Sequence, residues 1–186
     1  RQRLVQGRRD LVHDEQRRAD RGEQCDDGQR DHGGRGAAQG RRRTHGDQQL
    51  LSRAYNLLGI VCGVRGRHAE AQQLFRDSLA LSEAGEDQLG IAKALNNLGI
   101  MAYFAGDYDA AQRFYQGSLN INQDLGHQYD TALALSNLGL VAQKQGRFED
   151  AVAIFEESIA IQRKIGYELG VGLSLRTLCA TLLDLE

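Results

Sequence analysis

The sequence predicts an all-α solenoid of helical hairpins, and three observations predict it. One segment recurs at a spacing of forty without a gap: AYNLLGIVCGVRGRHAEAQQLFRDSL (54–79), ALNNLGIMAYFAGDYDAAQRFYQGSL (94–119) and ALSNLGLVAQKQGRFEDAVAIFEESI (134–159). A fourth copy begins at SLRTLCATLLDLE (174–186). The apolar residues inside each copy follow helical spacing. Proline is absent from all 186 residues, so helices run long and their stops fall to glycine.

The repeat defines slots. Leu58, Leu98, Leu138 and Leu178 share one, and Gly59, Gly99 and Gly139 follow them. Gly66, Gly106 and Gly146 share another, as do Ala71, Ala111 and Ala151, and Phe75, Tyr115 and Phe155. In the middle copy, Ile91, Ala94, Leu95, Leu98, Gly99 and Ala102 make one apolar face of a first helix. Gly106 breaks that helix and Asp107 caps the next. Tyr108, Ala111, Tyr115, Ser118 and Leu119 form the facing stripe of a second helix. Small Gly99 and Ala111 let the pair approach, and Tyr115 fills the space beyond them. Gly126 and Gly166 mark the turns into the next copies. One hairpin cannot bury its own face, but stacked copies bury a continuous core. The reading is a right-handed superhelix over 47–186, with repeats at about 52–91, 92–131 and 132–171 and a partial fourth at 172–186. Leu175, Leu178, Leu182, Leu183 and Leu185 make the last helix apolar nearly all round. The array is therefore expected to continue in a longer protein, or to self-associate through this uncapped helix.

Composition narrows the function classes. The chain is 41% hydrophobic with a net charge of -2, and its short apolar runs predict no membrane span. It lacks an initial Met and a secretory signal and reads as a fragment. Cys25, Cys62 and Cys179 lack the spacing of a disulfide framework or zinc site. Cys62 stands in a small-residue slot and Cys179 in the glycine slot, so both are expected to pack. A reducing, cytoplasmic setting follows. His13, His32, His45, His68 and His127 are scattered, and His68 takes the slot of Tyr108 and Phe148 as a packing residue. No nucleophile, base and orienting group form a set. The expectation is no enzyme, no cofactor and no metal site.

Residues 1–46 differ from the rest. They hold twelve Arg, eight Asp or Glu, eight Gly and no aromatic residue, whereas 47–186 carry a net charge of -6. So few apolar residues cannot offset chain entropy, and disorder or ragged helix is expected. Three readings of RGAAQGRRRTHG (35–46) stay open: a solvated linker, a stretch translated out of frame, or a basic arm whose Arg35, Arg41, Arg42 and Arg43 neutralise phosphates. The last makes a nucleic-acid-associated protein the alternative function. HGGRGAAQG (32–40) fits neither G-x-G-x-x-G nor a P-loop.

The pattern L-G-x-x-A/C followed by G-x-aromatic-x-x-A-x-x-x-F/Y resembles the tetratricopeptide repeat. This form has 40 residues, carries Leu95 and Leu135 at the tryptophan slot, and has no proline. With NNLG and SNLG it resembles the repeats of kinesin light chains, of G-protein-signalling modulators of the Leu-Gly-Asn type, and of bacterial transcriptional regulators. The resemblance implies a non-catalytic interaction module in a signalling or regulatory protein, holding a partner's peptide or helix in a concave groove. On the first helices, the face opposite the core carries Arg53, Leu57, Ile60 and Val64, then Lys93, Asn97, Ile100 and Phe104, then Leu133, Asn137, Leu140 and Lys144. Asn97 and Asn137 would pair with a partner's backbone. Arg53, Lys93 and Lys144 would attract its carboxylates. Ile100, Tyr103 and Phe104 would take an apolar anchor, beside the column of Ile60, Ile100 and Leu140. The first copy has Leu57 where the others have Asn, which weakens a regular backbone ladder, and Asn56, one place earlier, is the candidate groove residue there.

Overall fold

The computed structural model describes residues 33–183, with side chains from Gly46 onward. Cys25, Leu185, His13 and His32, the side chains of the basic stretch and most of the 1–46 segment lie outside the described residues. Seven helices follow one another among the described residues: α1 (Gly33–Val64), α2 (His68–Ala84), α3 (Gln88–Phe104), α4 (Tyr108–Asp124), α5 (Gln128–Lys144), α6 (Phe148–Lys164) and α7 (Glu168–Leu183). The boundary read at 46/47 falls inside α1. The compact unit described below comprises Gly40–Glu186.

Helices α2 to α6 each have 17 residues, about 25 Å at 1.5 Å per residue. One turn type sets this length. After α1, Gly66 N–H donates to Gly63 O and Arg67 N–H to Cys62 O, the paired bonds that close a helix on a left-handed residue. The same pair recurs at Gly106, Gly126, Gly146 and Gly166, all with φ between 71° and 80°. The turn after α2 places Glu86 at that position with φ 49°, where an L side chain is strained. Asp107 accepts from Ala110 N–H at 2.9 Å and caps α4 as expected, and Asp87 caps α3 through Gly90 N–H at 3.0 Å.

Consecutive helices pack along the chain. The buried residues form three linked clusters, each spanning three helices. Cys62, Ala71, Phe75 and Leu98 join α1, α2 and α3. Ala102, Tyr115, Leu135 and Val141 join α3, α4 and α5. Ala142, Phe155, Val171 and Leu178 join α5, α6 and α7. The glycine slot explains the closeness of each hairpin. A Cβ on Gly59 would stand 2.6 Å from Phe75 Cε1, one on Gly99 2.6 Å from Tyr115 Cε1, and one on Gly139 2.7 Å from Phe155 Cε1. Each aromatic ring rests against bare backbone, and each such burial stabilises by about 1.5–3 kcal/mol.

A polar seam runs where paired helices meet. Ser52 Oγ lies 2.6 Å from Ser82 Oγ and 3.1 Å from Ser78 Oγ, and Ser78 Oγ donates to Ser52 O at 2.9 Å. In the third hairpin Ser158 Oγ donates to Ala132 O at 2.8 Å and meets Ser136 Oγ at 2.8 Å. The second hairpin has Ala92 opposite Ser118, and Asn122 Nδ2 bonds Ser118 O within its own helix at 2.9 Å.

Two packing expectations are corrected. Cys62 is buried, but Cys179 is exposed. In α5 the slots facing the paired helix hold Ala132 at 1%, Leu135 at 4% and Ala142 at 0% exposure. In α7 the same slots hold Gly172, Leu175 at 36%, Cys179 and Leu182 at 45%, with no described helix over them. His68 is exposed as well, because the residues around its slot in this copy are too small to enclose it.

Candidate functional site

The first helices of the hairpins bring most of the predicted residues to one trough. Three depressions follow one another along α1 and α3. The first, about 360 Å³, is lined by Arg53, Asn56, Leu57, Asp87 and Lys93. The second, about 210 Å³, shares Asn56 and Lys93 with it and adds Asn96, Asn122, Asp130 and Leu133. The third, about 580 Å³, shares Ile60 and Asn97 with the second and extends to Ile100, Met101 and Phe104. Lys93 and Phe104 are eleven residues apart on α3, which places them about 16 Å apart along its axis.

Seven of the ten predicted site residues line this trough: Arg53, Asn56, Ile60, Lys93, Asn97, Ile100 and Phe104. Asn137, Leu140 and Lys144 lie further along, on α5, outside these three depressions. Leu140 is half-buried and packs on the cluster that joins α5, α6 and α7. Ile100 packs in the same way on the cluster formed with α4 and α5. The apolar column therefore serves the contact between repeats as well as the open face.

The asparagines are not free in the way the sequence suggests. Asn97 Nδ2 donates to Asn56 Oδ1 at 2.7 Å, and Asn137 Nδ2 donates to Asn96 Oδ1 at 3.1 Å. Asn56 thus does take part, as the acceptor of the first rung. Each rung links residues 41 apart, one more than the repeat. Every donor asparagine keeps a second N–H and a carbonyl oxygen, so the rungs fix the amides in orientation and still leave polar atoms for a partner's backbone.

The electrostatics also differ from the expectation of a basic groove. Asp87 lies beside Arg53 and Lys93 in the first depression, and Asp130 beside Lys93 in the second. Cations and carboxylates therefore balance at that end, and the other end is apolar. Sequence reasoning missed Asn96, Asp87, Asp130, Met101 and His68 as lining residues. Asp87 and His68 belong to turns and helix starts that flank the first helices, and a helical wheel of those helices does not show them. Among the described residues, no group of three or more His, Cys, Asp and Glu side chains is placed to hold a metal. Nor is any helix among them long and apolar enough to cross a membrane.

Equal helix pairs joined by one turn type, with ring-on-glycine contacts every forty residues, define a helical repeat array. The chain belongs to the tetratricopeptide repeat family: family profiles of that description match residues 52–77 and 87–164. Such repeats generally mediate protein–protein interaction and are generally non-catalytic. Among solved structures, BtubC (BKLC) from P. vanneervenii is similar, with a TM-score of 0.58 and 16% identity over 74% of this chain and 65% of that one. The chain thus spans less than two thirds of BtubC, and the likeness is one of fold. A search of curated proteins found no significant match.

Proposed function

We propose that the array is a non-catalytic interaction module that holds a peptide segment or helix of a protein partner along the trough of α1 and α3. It would belong to a larger cytoplasmic signalling or regulatory protein. The partner is another chain or another domain of the same protein. One observation carries the reading: three depressions that share residues run without interruption from the Arg53 end to Phe104. Oriented amides stand midway and an apolar pocket lies at one end, the mix that fixes a backbone and anchors a side chain. The balanced charge at the other end favours a partner that presents both signs over a purely acidic one.

The test is selection from a displayed library of random peptides on the full chain, followed by calorimetry of the recovered peptides. Ile60→Asp, and Asn56→Ala with Asn97→Ala, are expected to weaken them about tenfold or more. Recovered peptides that bind these variants as tightly as the parent would place the site elsewhere.

A further inference from the structure

The apolar pocket at the Phe104 end lies at the first repeat junction, beside three residues smaller than their counterparts one repeat later. Gly63, Val64 and His68 form its wall. Forty residues later the same slots hold Tyr103, Phe104 and Tyr108. There the two tyrosines meet edge to face, with ring centroids 5.7 Å apart, and pack on the cluster that contains Val141. Val141 is 0% exposed, whereas Met101, its counterpart at the first junction, is half-buried. Where the second junction is filled by the chain's own rings, the first is an open cavity of about 580 Å³, within the range of about 300–1,000 Å³ typical of ligand pockets.

Gly63 is not needed for close packing. A Cβ there would meet Met101 Cε at 3.7 Å and Ala71 Cβ at 3.9 Å, ordinary contacts, unlike the 2.6 Å at Gly59. The helix thus carries a destabilising glycine whose visible consequence is the cavity. The pocket lining contains no Asp, Glu, Lys or Arg, and His68 is its one titratable side chain. The charged groups of the trough lie at the other end. An uncharged occupant fits this lining, and one with a polar edge can meet the His68 imidazole.

We propose that this pocket takes one aromatic side chain of the partner segment, seated where Tyr103 sits one repeat later. The inference rests on the trough being the partner site. The experiment rebuilds the second junction in the first, as Gly63→Tyr with His68→Tyr in the full chain, and measures peptides selected on the parent. The expected result has two parts: the selected peptides share an aromatic residue at one position, and the double variant binds them about tenfold or more weakly with unchanged helix content. Selected peptides without an aromatic residue overturn the proposal, as do aromatic peptides whose affinity the double variant leaves intact. If those peptides still respond to Asn56→Ala with Asn97→Ala, the trough stands and the aromatic pocket falls. If they respond to neither, or if no peptide is recovered, both fall. Should the double variant not fold, methyl resonances decide. A selected peptide shifts those of Ile60, Ile100 and Met101, and its aromatic-to-Ala version must lose the shifts. Equal shifts from both peptides sink the proposal.

Discussion

Two glycines on one face of α1, four residues apart, should respond to the same substitution with opposite signs. Gly59→Ala would place a methyl 2.6, 2.8 and 3.0 Å from Cε1, Cδ1 and Cζ of Phe75. That ring is buried within the first cluster and also lines the cavity at the Phe104 end. Overpacking costs about 1–3 kcal/mol, and three short contacts on one buried ring put this case at the upper end, about 3 kcal/mol. Alanine in place of a mid-helix glycine returns about 1 kcal/mol, so the net loss is about 2 kcal/mol. At Gly63 the nearest contacts are 3.7 and 3.9 Å, the steric term vanishes, and a gain of about 0.5–1 kcal/mol is left. Urea unfolding followed by far-UV circular dichroism separates the two. With an m-value of about 2 kcal/mol/M, Gly59→Ala lowers the midpoint by ~1 M and Gly63→Ala raises it by a few tenths. A Gly59→Ala protein within ~0.5 kcal/mol of the parent, or a Gly63→Ala protein less stable than it, would refute the ring-on-glycine account.

Burial, and secondarily the charge of Tyr103, hold the Tyr115 phenol well above its ordinary pKa. The unfolded chain therefore loses this proton near pH 10 while the folded chain keeps it. Stability complete below pH 10 then falls as pH rises, by about 1.4 kcal/mol per pH unit. Tyr115→Phe, which copies Phe75 and Phe155, should remove that slope in alkaline denaturation. Glu86→Gly relieves a left-handed residue (φ 49°) in a turn that glycine occupies elsewhere, and should raise stability by about 0.5–1 kcal/mol in the same unfolding assay. In thiol labelling read by peptide mass spectrometry, exposed Cys179 should react before buried Cys62 by roughly two orders of magnitude or more, the protection given by an opening free energy of about 3 kcal/mol.

The fold was legible because slots recur. A leucine, a glycine, an alanine and an aromatic at constant spacing name the two facing stripes of every hairpin, and the rings do lie on the glycines. Slots give equivalence, though, and not contact. Asn97 aligns with Leu57, yet its amide meets Asn56, because adjacent helices are offset by one residue across the junction. The exposure of Cys179 was hidden for a related reason: burial of a slot belongs to the helix that covers it, not to the residue that fills it. Asp87 was missed because a helical wheel ranks residues of one helix and omits what a turn contributes, whereas Asp130, three residues before Leu133 on the same face of α5, was in view and passed over. The cavity at Gly63 becomes visible in the sequence once His68 and Gly63 are set beside Tyr108 and Tyr103, as a difference between copies and not a likeness.

Hairpins of one design carry a hazard, since α1 could pair with α4 in place of α2. The apolar contact hardly discriminates, because Gly59 would receive the Tyr115 ring as readily as that of Phe75. The polar seam does. Ser52 is buried against the hydroxyls of Ser78 and Ser82, and the slot of Ser82 holds Asn122 in α4 and Gln162 in α6. A wrong partner keeps a serine in the slot of Ser78, as Ser118 or Ser158, but sets a larger amide against Ser52, an overpacking error. The serines thus work as addresses, telling each strip of chain which neighbour is its own. Erasing one, as Ser82→Asn would, overpacks the native pair as much as the wrong one, and should lower native stability and raise the yield of swapped dimers on refolding.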